Sequence, residues 1–151
     1  MTANITDREQ LLQHLADKVS LAGATVSGVD LSGLSLQGLD LRHSRWLRCT
    51  AKATSFRAAK LSGARLSGCD FSGADLTAIV ARGLDASWDE TGAPCVLLGV
   101  QLEGAFLAEA NLSGATLDNA RLDRAVATAV RLERASLLLD GLDHAGVAVA
   151  G

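Results

Sequence analysis

The chain has 151 residues, a mass of 15.6 kDa and a formal net charge of -3, a length that fits a single domain. Hydrophobic residues make up 48% of it but aromatics only 3%, with no Tyr and 15 Gly, so any core must be filled by small aliphatic side chains. A charged fraction of 21% argues against disorder, and Ser, Thr and Gly interrupt the apolar stretches too often for a membrane span.

The first residues, MTANITDREQ, have neither the basic start nor the apolar stretch of a secretory leader, so a cytoplasmic location is expected. Residues 1–18 stand apart from the rest of the chain. Thr6 and Glu9 have the T-x-x-E spacing of a capping box ahead of the apolar set Leu11, Leu12, Leu15 and Val19. This predicts one short amphipathic helix over residues 6–18, laid across the exposed end of the domain that begins at residue 19.

From there a five-residue period takes over. Steps of five from Leu21 land on Val26, Leu31, Leu36, Leu41, Trp46, Ala51, Phe56, Leu61, Leu66, Phe71, Leu76, Ala81 and Ala86, every one apolar. Two residues before each of these lies a mostly small or apolar side chain, among them Ala24, Ser44, Cys49, Thr54, Ala64 and Cys69. Two residues after them lie most of the glycines, from Gly23 to Gly83, where a corner in the chain is expected.

The period breaks between Ala86 and Leu97, a spacing of 11 that reads as two units plus one residue, and the segment contains the only Pro. A bulge or small loop is expected at about 87–96, with the indole of Trp88 folded back onto a face. The pattern then resumes at Leu97, Leu102, Leu107, Leu112, Leu117, Leu122, Ala127, Leu132, Leu137, Leu142 and Val147. Across both runs an unbroken apolar column of this length would arise by chance roughly once in 10^8 sequences of this composition. In the small-residue column of the second run only Asp140 is charged, and the last units, L-D-H-A-G-V-A-V-A-G, show no covering helix.

Neither a helix of period 3.6 nor a flat strand of period 2 places one residue inward at every fifth position. A coil with square corners does. Four units make a turn of twenty residues, and stacking turns at about 4.8 Å buries columns at i and i+20. The expected fold is an all-β solenoid of about six coils, roughly 30 Å long, occupying residues 19–151.

The units A-D-L-T-A at 74–78, A-N-L-S-G at 110–114 and C-D-F-S-G at 69–73 resemble the A-(D/N)-L-x-x signature of the pentapeptide-repeat family over residues 19–149. The resemblance implies a right-handed quadrilateral β-helix. It also brings in the quinolone-resistance members, whose rods resemble B-DNA in size and charge, bind DNA gyrase and dimerise through their C-terminal ends. By that resemblance a homodimer joined at the C-terminal end is expected here, although the relatives' extra C-terminal helix is missing.

No GxxxxGK[ST], GxSxG, HExxH or CxxC motif occurs, and His14, His43 and His144 are far apart in sequence. No catalytic residue, cofactor or metal is expected. Cys49, Cys69 and Cys95 all fall in the inward small-residue column, where Cys acts as a compact buried hydrophobe rather than a ligand.

Charge is segregated along the rod. Residues 41–68 carry Arg42, Arg45, Arg48, Lys52, Arg57, Lys60 and Arg65 with no acid, whereas residues 69–118 carry Asp70, Asp75, Asp85, Asp89, Glu90, Glu103, Glu109 and Asp118 against Arg82 alone. This pattern admits three readings: a solvated surface, an acidic band that mimics a phosphate backbone for a type II topoisomerase, or a basic band that meets nucleic acid or an acidic protein. Direct nucleic-acid binding is not expected, because the two aromatics among the cations, Trp46 and Phe56, fall in the inward column and leave none to interleave them on the surface. Phe106 and Val126 sit in an outward column 20 residues apart and should stack on one face. Either the segment around Trp88 covers them or they form the hot spot of a partner site.

The sequence therefore points to a non-enzymatic rigid scaffold for protein binding. Its candidate surface comprises Trp88, Asp89, Glu90, Phe106, Val126, Asp70, Asp75 and Asp85, with the basic band beside it. The alternative is a DNA mimic acting on gyrase or topoisomerase IV.

Overall fold

An inward residue at every fifth position leaves only two or three extended residues between corners, and the strands are correspondingly short. The computed structural model describes residues 2–138. In chain order it contains β1 (Asn4–Ile5), α1 (Arg8–Ala16), β2 (Thr25–Ser27), β3 (Arg45–Leu47) and β4 (Arg65–Ser67), with the four strands paired in parallel in the order β1-β2-β3-β4. The register matches Val26 to Trp46 and Trp46 to Leu66, a step of twenty residues.

Isolated bridges continue the stacking around the coil in four parallel ladders. One runs Thr25, Arg45, Arg65, Asp85, Asn111, Arg131, and a second Asp30, Thr50, Asp70, Val96, Thr116, Ser136. The third runs Ser35, Ser55, Asp75, Gln101, Arg121, and the fourth Asp40, Lys60, Val80, Phe106, Val126. The residues between the ladders close the corners. Most corners carry the hydrogen bond of a β-turn, such as Ala59 N to Phe56 O at 2.8 Å and Ala105 N to Leu102 O at 3.0 Å.

Glycine is common at these corners but not required. His43, Arg48, Ala53, Ala58, Ala78, Glu109, Asn119, Arg124, Ala129 and Arg134 occupy the same position with φ between 51° and 62°. The stacked ladders hold these residues in a conformation that costs roughly 1–2 kcal/mol each outside glycine.

The Asp or Asn before the central residue has its own structural task. Asp30, Asp70, Asp75, Asp85 and Asn111 each accept a hydrogen bond from the backbone N–H two residues on, at 2.9 to 3.2 Å. These Asx turns fix the chain as it enters the corner.

The interior is filled. Leu31, Leu36, Leu41, Trp46, Phe56, Leu61, Leu66 and Phe71 are buried, as are Ala59, Ala64, Ala74, Ala105, Ala110 and Ala115 in the column beside them. Phe56 packs edge-on against Trp46, with centroids 6.4 Å apart, and tilted against Phe71 at 5.4 Å. Trp46 brings a polar N–H into this core, and buried Ser44 answers it: indole Nε1 donates to Ser44 Oγ at 2.7 Å, and that hydroxyl donates to Leu41 O. Thr54, also buried, donates to Leu31 O at 2.9 Å. The polar residues of the small column are thus satisfied within the coil.

The N-terminal segment differs from the expected lone helix. Residues 4 and 5 first add a strand, with Ile5 aligned on Val26 and fully buried. The helix comes next, but its N-cap is Asp7 rather than Thr6: the Asp7 carboxylate accepts from Gln10 N at 2.8 Å, while the Gln10 side chain reaches back to Thr6 N at 2.9 Å. The helix ends at Ala16, short of Lys18. Leu11 is buried and Leu15 partly so, whereas Leu12 and Val19 remain exposed, because one short helix offers the coil only a narrow stripe. Arg8 donates to Asp30 O at 2.7 Å and to Ser32 O at 3.4 Å, satisfying carbonyls on the edge of the first coil.

The interruption also differs from the expected register. Asp70 pairs with Val96 and Asp85 with Asn111, each 26 residues on, where neighbouring coils pair at 20. The segment from Ala86 to Leu97 is therefore one unit carrying six extra residues, not two units and one residue. Those six close on themselves: Asp89 N donates to Ala93 O at 2.8 Å and Gly92 N to Asp89 O at 2.9 Å. The coil resumes on the next face without skipping one. The C-terminal units containing Asp140 and His144, and the dimer contact expected there, lie outside the described residues.

Candidate functional site

With the interior filled, the exterior carries whatever the protein recognises. Two features interrupt its regular pattern.

The first is the loop and the groove beside it. Asp89 is the loop's internal anchor. Its Oδ1 accepts from Thr91 N at 2.8 Å, Thr91 Oγ1 at 2.5 Å and Ala93 N at 2.9 Å, and its Oδ2 faces Arg48 Nε at 3.2 Å. The Thr91 hydroxyl, the Ala93 and Thr91 N–H groups and Arg48 together hold the Asp89 carboxyl down at about 2. Asp89 is therefore buried and structural, not the outward acid expected from sequence.

Two glycines seat this loop. A β-carbon on Gly68 would lie 3.0 Å from Asp89 Oδ2, and one on Gly114 would collide with the six-membered ring of Trp88. Trp88 accordingly rests on the Gly114 corner with 41% of its surface exposed. It does not cover Phe106, which lies on a different ladder. Between the loop and the Thr25–Asp85 ladder is a groove of about 400 Å³, lined by Arg45, Arg48 and Arg65, by Ser67, and by Asp85, Trp88 and Glu90.

The second feature is an apolar stripe. Val80, Phe106 and Val126 occupy consecutive rungs of the fourth ladder and are 46%, 38% and 43% exposed. Phe56 and Phe71, by contrast, are buried. An ion pair between Arg82 and Glu109, at 2.7 Å, borders the stripe. Val80 was not legible as part of it: the rule of twenty finds Val126 from Phe106, but the six inserted residues lie on the other side, so Val80 is 26 residues away. Counting the insertion would have found it.

The remaining candidates are dispersed. Asp70, Asp75 and Asp85 lie on three different ladders, half-buried and engaged in Asx turns. Partial burial alone would raise the Asp70 carboxyl, but the Ser72 hydroxyl and N–H, with Lys52 at 3.3 Å, outweigh it and hold the group below the usual range. All members of the basic band are exposed. Arg42 pairs with Asp40 at 2.7 Å, a contact that holds the Asp40 carboxyl at about 2. Arg48 pairs with Asp89 and Lys52 with Asp70. Arg57 and Lys60 lie on other faces, and only Arg45 and Arg65 share a rung-to-rung contact. Among the described residues no ladder presents acids on successive rungs, so the acids of the band do not line up along any one ladder.

The cysteines are free and buried. Cys49 N lies 3.4 Å from Cys69 Sγ, and the Cys69 thiol points at Trp46 O at 3.3 Å. Contact with the Cys49 sulfur and then burial push the Cys69 thiol up, and burial pushes Cys95 up to about 12. Among the described residues, no group of three or more His, Cys, Asp or Glu side chains is placed to hold a metal, and no helix is long and apolar enough to cross a membrane.

Parallel rungs, a turn at every fifth residue and an inward leucine column define a repeat protein, and comparison with known families agrees. The family model for pentapeptide repeats matches eight copies, over residues 49–78 and 95–137. The chain belongs to the pentapeptide-repeat family. Among solved structures it is similar to a trypsin-treated form of QnrB1, a plasmid-mediated fluoroquinolone resistance protein, at 18% identity and a TM-score of 0.57, covering 92% of this chain and 75% of that one. It is also similar to Rfr23 from the cyanobacterium Cyanothece 51142, at 19% identity and a TM-score of 0.48, covering 85% and 94%. A pentapeptide repeat protein of the Arabidopsis thaliana thylakoid lumen shares 31% identity over 68% of this chain and 70% of its own, at a TM-score of 0.27. No curated protein sequence matches.

Proposed function

We propose that this protein is a non-enzymatic, rigid scaffold, a right-handed quadrilateral β-helix that binds a protein partner in the cytoplasm through the Val80–Phe106–Val126 stripe. The observation that carries this reading is Phe106: in a chain whose other Phe residues are buried, it stands 38% exposed between two exposed valines on adjacent rungs. Solvent-facing aromatic and β-branched residues aligned in this way suit the centre of a small interface. The backbone beneath them is fixed by ladder hydrogen bonds such as Phe106 N to Ile79 O at 2.9 Å, so little ordering entropy opposes docking.

The test is a paired co-purification from the native host with the wild-type chain and Phe106→Ser, using Leu12→Ser as a control on the helix. A partner recovered with the wild type and the Leu12 variant but lost with Phe106→Ser supports the reading; an unchanged set of proteins overturns it. The topoisomerase alternative predicts altered DNA gyrase supercoiling, with or without a quinolone. The dispersed acids on three ladders favour the plain scaffold over phosphate mimicry.

A further inference from the structure

The groove beside the loop holds a like-charged pair that nothing neutralises. Arg45 and Arg65 are in-register partners on adjacent strands, about 4.8 Å apart along the rod. Both are exposed, and among the described residues neither forms an ion pair or side-chain hydrogen bond. Like charges directly opposite on a sheet destabilise it. Asp85, on the next rung, forms no ion pair with Arg65; its Oδ1 accepts from the Ser87 hydroxyl at 2.7 Å and from Ser87 N at 3.2 Å, which leaves Oδ2 without a partner among the described residues. Arg48 is committed to Asp89. The groove therefore has a cationic end at Arg45 and Arg65 and an acidic rung at Asp85, with Trp88, Asp89 and Glu90 of the loop along its side.

We propose that this groove binds an extended segment of a protein partner carrying a carboxylate and, two residues away, a Lys or Arg. The spacing comes from strand geometry. From the middle of the arginine pair to the Asp85 rung is one and a half strand separations, about 7 Å, and same-side residues of an extended chain lie about 6.6 Å apart. A carboxylate at the first position bridges the two guanidinium groups. The cation at the second meets Asp85 Oδ2, with the exposed Trp88 indole in the same groove. A continuous polyanion fits poorly, because beyond two rungs it would run onto Asp85. The inference rests on the scaffold reading in taking a protein as ligand, but it uses a different face from the Phe106 stripe.

The experiment is fluorescence anisotropy with labelled, end-blocked peptides centred on Glu-Thr-Lys, Lys-Thr-Glu, Glu-Thr-Glu and Lys-Thr-Lys, with oligothymidine as a competitor. One of the two mixed-charge peptides should bind roughly tenfold more tightly than either like-charged one. Arg45→Gln with Arg65→Gln, and separately Asp85→Asn, which can keep its turn as Asn111 does, should each weaken that binding about tenfold while the circular dichroism spectrum stays unchanged. Phe106→Ser should leave it unaffected, so failure here and failure of the stripe are read separately. The proposal is overturned if neither mixed peptide saturates the protein below about 1 mM, if the arginine variant binds equally well, or if oligothymidine competes as strongly as the peptide.

Discussion

The indole of Trp88 lies against Gly114, where no β-carbon could be accommodated. Gly114→Ala should therefore displace the ring as well as strain a backbone held at φ +72°. Gly104 has a similar φ of +65° with open space around it, so Gly104→Ala reports the backbone strain alone, about 1 kcal/mol or somewhat more. The Gly114 variant should be the less stable of the two in thermal melts and should alone red-shift the tryptophan emission.

Loop closure should also depend on acid. The folded pKa of Asp89 is depressed to about 2, against an ordinary value near 3.9. Its contribution to stability is thus fully present above about pH 4 and is lost as pH falls toward 2. Trp88 emission should shift in this window, whereas Asp89→Asn should show the displaced indole already at neutral pH. An emission spectrum unchanged from pH 5 to pH 2 in the wild type would contradict the anchoring role of Asp89. Trp46 serves as the internal reference, since it is fully buried and reports only on the coil.

The coil was legible because its cause is local: Leu and Ala columns recur wherever the chain must fill a narrow interior, and Leu31, Ala64 or Leu107 needed no partner to be identified. The loop was less so. A spacing of 11 between Ala86 and Leu97 leaves the same remainder for two units plus one residue as for one unit plus six, and only the pairing of Asp70 with Val96 decides between them. That ambiguity hid Val80 from the Phe106 stripe. The N-cap passed from Thr6 to Asp7 because two adjacent residues could both cap, and the Gln10 side chain selects the arrangement. Asp89 looked like a surface acid because sequence shows its charge but not the Thr91, Ala93 and Arg48 donors that surround it.

Ser44 should behave as part of Trp46 rather than as a tolerated polar residue in the core. Ser44→Ala leaves the buried indole N–H without an acceptor and should cost about 1–3 kcal/mol. Trp46→Phe removes that donor, and in its background the serine substitution should cost markedly less. A double-mutant cycle by chemical denaturation measures the coupling; strict additivity would show that the 2.7 Å hydrogen bond carries no net stability.

The three thiols should be unreactive in the folded protein. All are buried, and Cys69 and Cys95 are held away from the thiolate form, by the neighbouring sulfur and burial for the first and by burial for the second. A thiol reagent at pH 8 should label none of them over minutes in the native state and all three in denaturant. Prompt labelling of any one without denaturant would mean that the coil opens locally at that rung.

Corner strain offers a route to a more stable protein. Ala58, Ala78 and Ala129 each hold φ at 56°, a region that glycine enters without a steric penalty. Glycine also adds freedom to the unfolded chain, which offsets part of the gain. The native strain is roughly 1–2 kcal/mol per residue and the entropic offset roughly 0.4–1, so each Ala→Gly replacement should be neutral to stabilising by about 1 kcal/mol, the reverse of its effect in a helix. Ala129 lies apart from the other two and its effect should add to theirs within about 0.5 kcal/mol, whereas Ala58 and Ala78 stack on adjacent rungs of one corner, with Ala58 N donating to Thr77 O at 2.9 Å, so their effects should couple. A triple variant that melts below the wild type would show that the methyl groups at these corners contribute packing that outweighs their backbone strain.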